Sequence, residues 1–337
     1  MIWALSYRTL LFIGGVIAAS TALPEATPTF AAEMYLAVGA GGHRMLSNDG
    51  AGWEKHAELG KPGHDQNDLN VCTFFRGAAF VGGGFNQGRL MATRDGVNWS
   101  DGVIPGSGPI FGLEVVGDTL YAIDLRGKVF RSLDGEQWKL AATPVMPSKT
   151  HWIRCTSLGN GIIVGSGDFG PVITFSPETD DISVTQMAGQ TEKNPGIGRV
   201  AFGNGTFVIA GQDGLLATTT DGKSFVNNKT APERGNVNSV VWTGDHFLAS
   251  CKQGSFSSTD GNDWKPVDTK LPYKMDHCGP WLFGWSWPYK IQRSGDGRTW
   301  QPVSNERQWY VKDIAFGGLA GSGDPPAVPP APTARVR

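Results

Sequence analysis

The chain of 337 residues has little net charge: 29 Lys and Arg against 31 Asp and Glu leave −2. That balance excludes both the basic footprint of a nucleic-acid binder and an acidic disordered composition as its main theme. Cysteine is sparse. Cys72, Cys155, Cys251 and Cys278 are too widely spaced to resemble a metal site or to fix a disulfide pairing, and buried thiols in strands are the simplest reading. A Gly-x-Ser-x-Gly elbow, a phosphate loop, a His-Glu-x-x-His pair and a Cys-x-x-Cys pair are all missing. The common signatures of nucleophilic, nucleotide and zinc chemistry are therefore absent, and no cofactor is implied. No long apolar run has a helical period. Alternation with a period of two dominates, as in LYAI at 120–123 and FVIAG at 207–211.

What is present is a turn, repeated. SNDGAGW (47–53), TRDGVNW (93–99), SLDGEQW (132–138), TTDGKSF (219–225), STDGNDW (258–264) and SGDGRTW (294–300) share a Ser/Thr, an Asp-Gly pair and a closing aromatic. SPETDDI (176–182) is a degenerate copy that keeps the Ser and displaced acids and ends on Ile182. The closing residues lie 46, 39, 44, 43, 39 and 36 positions apart. A period of roughly 41 residues holding several short apolar runs is the signature of a radial propeller. Within each turn the Asp can accept backbone N–H bonds from residues two and three positions on. The Gly supplies a positive φ, and the aromatic can bury its ring between layers of the fold.

These turns resemble Asp-boxes, also called BNR repeats, in a shortened variant, and the resemblance covers about residues 33–318. It implies a propeller of the kind found in sialidases, polysaccharide-active proteins and photosystem-assembly factors. It also implies that the box is a structural fastener on the C–D hairpin, opposite the functional face. Asp49, Asp95, Asp134, Asp221, Asp260 and Asp296 are then staples, not catalysts. Sialidases as a family carry an Arg-Ile-Pro motif near the first blade and an arginine triad. This chain has no such tripeptide there, so exosialidase activity is not expected.

The expected fold is all-β, with seven four-stranded antiparallel blades. Blade two reads as LNVCTFF (69–75), AAFVGGG (78–84), RLMATR (89–94) and WSDGVI (99–104). Before the first box stand only MYLAVGA (34–40) and HRMLS (43–47), so blade one lacks an inner strand. QWYVKDIAFGG (308–318) follows the last box without partners and has the inner-strand pattern. The C-terminal strand is therefore expected to complete blade one and close the ring. Residues 1–32 read as an export signal, with cleavage after Ala22 or Ala31, and imply a secreted or periplasmic protein with no retained membrane span. The propeller would occupy 33–320, and the Pro-rich stretch 321–337 reads as a disordered tail.

If the boxes mark one face, the outer-to-inner connections and the B–C loops share the other. That face gathers His151, Trp152, Arg154, Arg199, Lys274, Asp276, His277, Trp309 and Tyr310. Trp285, Trp287 and Tyr289 share one strand parity and could stack on sugar rings, with inter-blade packing as the competing reading. Arg154, Arg199 and Lys274 could hold a carboxylate or sulfate, with salt bridging to neighbours as the alternative. His277 beside Asp276, His151 and Tyr310 are the candidate proton-transfer groups, although adjacent strand residues point to opposite sides. HDQND (64–68) lacks the spacing of a cation loop, so no metal is expected.

Three functions remain open at this stage. The first is an exported propeller that binds a glycan or other extracellular polymer. The second is a lyase or glycosidase acting on an acidic polysaccharide. The third is a protein-interaction or assembly scaffold. Fold alone does not choose among them.

Overall fold

The structure, a computed structural model, describes residues 32–57, 67–187, 198–227, 235–286, 290–304, 311–321 and 323–329. Residues 1–31 of the segment 1–32 read as an export signal, and the distal tail 330–337, lie outside these residues. The described strands form seven antiparallel four-stranded sheets. In chain order their inner strands are Leu69–Phe75, Ile110–Val116, Trp152–Gly159, Arg199–Gly203, Val237–Trp242 and Lys274–Cys278, for blades two to seven. Blade one takes its inner strand from the C-terminus. Val311–Leu319 runs antiparallel to Ala32–Gly39, with Tyr35 opposite Phe316 and Ala37 opposite Ile314. The strands of blade two fall where the alternation pattern placed them. The two ends of the ring are thus joined by a sheet ladder, and blade one gains the inner strand its own segment lacks.

Packing between blades is apolar. Tyr35 and Met45 of blade one meet Phe283 and Trp285 of blade seven, and Phe80 and Leu90 of blade two meet Ile110 and Leu120 of blade three. Cys72, Cys155, Cys251 and Cys278 form no disulfide; Cys72, Cys251 and Cys278 are buried.

The Asp-Gly turns bind themselves and the neighbouring blade. In the second, Asp95 Oδ1 accepts from Val97 N and Asn98 N, both at 2.8 Å, and from Thr93 Oγ1 at 3.1 Å. Thr93 Oγ1 in turn accepts from Gly96 N at 2.9 Å. The same hub recurs at Asp49, Asp134, Asp221, Asp260 and Asp296. A further contact is not visible in the turn pattern itself. The indole Nε1 of Trp99, Trp138, Trp264 and Trp300 donates to the carbonyl of the turn glycine. That glycine is also the point of contact with the preceding blade. At Gly135 φ is +80°, and an added Cβ would stand 2.2 Å from Cζ of Phe80. In the degenerate turn Asp180 takes the left-handed position, with φ of 58°. Its carboxylate reaches back to Arg131 of blade three at 2.8 Å.

Ala320, the last residue of the expected propeller, and the described part of the stretch after it lie against blade two. Ala320 N and Gly321 N donate to Gly77 O and Arg94 O, Pro326 is buried, and Val328 packs on the core of blades two and three. Pro329 O accepts from Val103 N at 2.8 Å, on the outermost strand of that blade. Proline offers no N–H to a ladder, so composition pointed away from docking. Its carbonyls and ring surfaces make the contact.

Candidate functional site

Antiparallel connectivity puts the Asp-Gly turns at one end of the ring and the first residues of the inner strands at the other. The inner strands surround a channel of about 1040 Å³. Side chains of Asn70, Phe111, Arg154, Arg199, Lys274 and Lys312 line its mouth, one at the start of each inner strand except that of blade six. Glu114, Cys155, Thr156, Asp276 and Asp313 lie deeper.

The cations at the mouth differ in what holds them. Arg154 Nε donates to Asp168 Oδ2 at 2.9 Å, and its guanidinium lies over Trp152 and Phe111, 4.9 Å and 5.2 Å from the ring centroids. Lys312 is tied to Asp68 and to Asn70 Oδ1. Arg199 donates to Gly198 O at 3.3 Å and meets no carboxylate among the described residues. Lys274 is half-buried beside it. Burial, then the charges of Arg199 and Lys312, push the Lys274 ammonium well below its ordinary pKa. Like charges gathered in a partly desolvated mouth are costly alone and are relieved by an anion.

Beneath them Asp276 and Asp313 share a hydrogen bond between adjacent blades. Burial raises both carboxyls above their usual range, and for Asp313 the charge of Asp276 adds to it. Asp313 Oδ2 also accepts from Cys72 N at 2.7 Å, and Asp276 Oδ1 from His277 N at 2.8 Å. Two interacting carboxyls, both pushed up by burial, titrate as a pair. Glu114, reached by Thr156 Oγ1 at 2.7 Å, is raised to about 7 by burial.

Of the residues singled out in the sequence, Arg154, Arg199, Lys274 and Asp276 are brought together here. Trp152 joins them through Arg154. Of the two candidate histidines, His277 also lines the channel and His151 does not. His277 is exposed and its Nδ1 contacts Trp242 O at 3.1 Å, so it is not the oriented partner of Asp276. His151 is buried against Phe169, 5.7 Å between ring centroids. Trp285 is not an open stacking platform. It is 7% exposed, packed with Tyr35, Phe283 and Ile291 between blades seven and one. Of the two readings left open for it, stacking platform and inter-blade packing, the packing one describes its surroundings, although it also borders the channel. Trp287, Tyr289, Trp309 and Tyr310 lie outside the described residues. No cluster of three His, Cys, Asp or Glu suited to a metal occurs among the described residues.

Asp313 and Lys312, which the sequence also placed at the entry of the closing strand, owe their place in the channel to ring closure. The signal was available, since the C-terminal strand had already been assigned to blade one.

The ring of blades and its axial cationic mouth define a seven-bladed β-propeller with a polar central site. No protein-family model and no curated protein matches the sequence. Solved structures do. Saccharomyces cerevisiae Sqt1 superposes with a TM-score of 0.57 at 12% identity, over 89% of this chain and 94% of that one. YCF48 from Cyanidioschyzon merolae gives 0.55 at 16% identity, over 76% and 94%. YCF48 bound to D1 peptide gives 0.53 at 15%, over 69% and 81%. At such identities the likeness is one of fold.

Proposed function

We propose that this chain is an exported propeller that binds an acidic segment of a partner polypeptide on the face opposite its Asp-Gly turns. The mouth of the channel is the anchor. The observation that carries this reading is Arg199, a cation without a carboxylate partner among the described residues, beside the destabilised ammonium of Lys274. A carboxylate laid there gains a guanidinium fork and relieves the Lys274–Arg199 repulsion. A propeller of the same fold, YCF48, holds a D1 peptide. The Asp-Gly turns, as Asp-boxes, act as blade fasteners and leave the opposite face to the partner. Residues 1–32 supply the export signal.

The glycan and enzyme readings are supported less well. Trp285, the described member of the stacking set, is core. Asp276 and Asp313 hydrogen-bond directly, whereas glycosidase carboxylates stand about 5 Å or more apart. His277 lines the channel but has its Nδ1 on Trp242 O, and His151 packs on Phe169, so neither candidate base is oriented by Asp276. The test is titration of the purified protein with a labelled oligoglutamate peptide, polygalacturonate and neutral dextran, with absorbance watched for unsaturated products. Peptide binding lost in Arg199→Glu supports the proposal. Preferential retention of polygalacturonate would return the function to glycan binding, and release of unsaturated products would make it a lyase.

A further inference from the structure

A second cationic pocket opens on the same face, at the rim of blade three. It has a volume of about 500 Å³ and is lined by Arg126, Lys128, Met146, Ser148 and Lys149, with Thr143, Pro144 and Pro147. Arg126 and Lys128 sit in the turn between Thr119–Asp124 and Val129–Ser132. Lys149 comes from the connection that leads into Trp152–Gly159, so the rim pocket and the channel mouth are joined by a few residues of chain.

The partners of these cations are carbonyls. Arg126 donates to the main-chain oxygens of Ser148, Lys149 and His151, and Lys128 Nζ donates to Gly106 O at 3.2 Å. Carbonyl oxygens fix the geometry of a cation without cancelling its charge. Among the described residues, no Asp or Glu lines the pocket. The nearest acid in sequence, Asp124, is 1% exposed and turned to the amides of Gly108, Arg126 and Lys128. Arg126 is thus held in place by three carbonyls and remains a cation. Pro144, Met146 and Pro147 give the pocket an apolar wall, Val145 between them is 90% exposed, and no aromatic ring lines the pocket among the described residues.

We propose that this rim pocket is a second subsite, taking an acidic side chain flanked by an apolar residue in a polypeptide ligand. It rests on the reading of the mouth as a site for an acidic chain and extends that reading to two-point attachment. The charge calls for an oxyanion, and the exposed Val145–Met146 flank calls for an apolar neighbour. A sulfated glycan would supply the first and not the second.

The experiment compares a labelled peptide of alternating Leu and Glu with an oligoglutamate of equal length and a sulfated chondroitin oligosaccharide. The proteins are wild type, Lys128→Glu/Lys149→Glu, Lys128→Arg/Lys149→Arg, Val145→Ser and Arg199→Glu, each checked for an unchanged melting temperature. Arg126 is left intact because it holds the 143–151 connection. The Glu double variant is expected to bind the Leu-Glu peptide about tenfold more weakly, from like-charge repulsion at the half-buried 128 and exposed 149 positions. The Arg double variant is expected to match wild type, and Val145→Ser to weaken the Leu-Glu peptide more than the oligoglutamate. Binding by the Glu double variant within twofold of wild type overturns the subsite. Loss confined to the chondroitin oligosaccharide overturns its assignment to a polypeptide. Loss in Arg199→Glu with none in the Glu double variant keeps the mouth and removes the rim. The reverse removes the mouth.

Discussion

Replacing Asp260 by Ala tests whether the repeated turns are fasteners. Asp260 Oδ1 accepts from Asn262 N at 2.8 Å, Asp263 N at 2.9 Å and Ser258 Oγ at 2.9 Å. The two amides are exposed, so water replaces part of what is lost, and each bond is worth about 0.5–1.5 kcal/mol net. Loss of a helix N-cap, which has the same chemistry, costs about 0.5–2 kcal/mol. The expected cost is therefore about 1–2 kcal/mol, or a fall of roughly 2–6 °C in melting temperature for a domain of this size. The amides of Asp263 and Asn262 hold the Asp260 carboxyl below its usual range. A depressed acid contributes stability above its unfolded value of about 3.9 and loses it as pH falls through the folded value. The gap between wild type and Asp260→Ala should thus be full at pH 7 and shrink below about pH 4. Thermal unfolding followed by circular dichroism across that range measures it. Equal melting temperatures at pH 7 would refute the fastener role. So would an intact fold that no longer binds the acidic peptide, since the turn would then belong to the functional face.

Three other outcomes follow from the same structure. Trp285→Ala should destabilise by about 3–5 kcal/mol, as for other buried tryptophans, and urea unfolding checks it; a stable variant with weakened ligand binding would restore the stacking role. Glu114, raised to about 7 by burial, contributes stability that is full below its unfolded value of about 4.3 and lost as pH rises through 7. Glu114→Gln should flatten that loss and melt above wild type at pH 8, and parallel pH profiles would contradict the buried-acid account. At Gly102 an added Cβ would stand 2.0 Å from Pro329 O, so Gly102→Ala should release the tail. Faster proteolysis within 321–337 with the ring intact is the expected result, and unchanged protection would place the tail's anchor elsewhere.

The ring was legible because its information is local and repeated. A turn with an Asp hub and a closing aromatic announces itself in every blade but the fourth, and counting strands around the first and last turns exposed the closure by Val311–Leu319. The mouth was partly legible: inner-strand starts named Arg154, Arg199, Lys274 and Asp276. The pairing of Asp276 with Asp313 was not, because it joins strands of different blades and depends on their register. Trp285 shows the limit of parity, which separates two sides of a strand but not a channel wall from a blade interface. The rim pocket escaped for a different reason. Arg126, Lys128 and Lys149 belong to two loops with no shared motif, and only the fold brings their charges together.

The most direct test of the central claim is an experimental structure of the protein with the acidic Leu-Glu peptide bound. The account predicts a peptide carboxylate on Arg199 and Lys274 at the mouth of the channel. A peptide seated on the Asp-Gly turns, or on the outer edge of a blade, would contradict it.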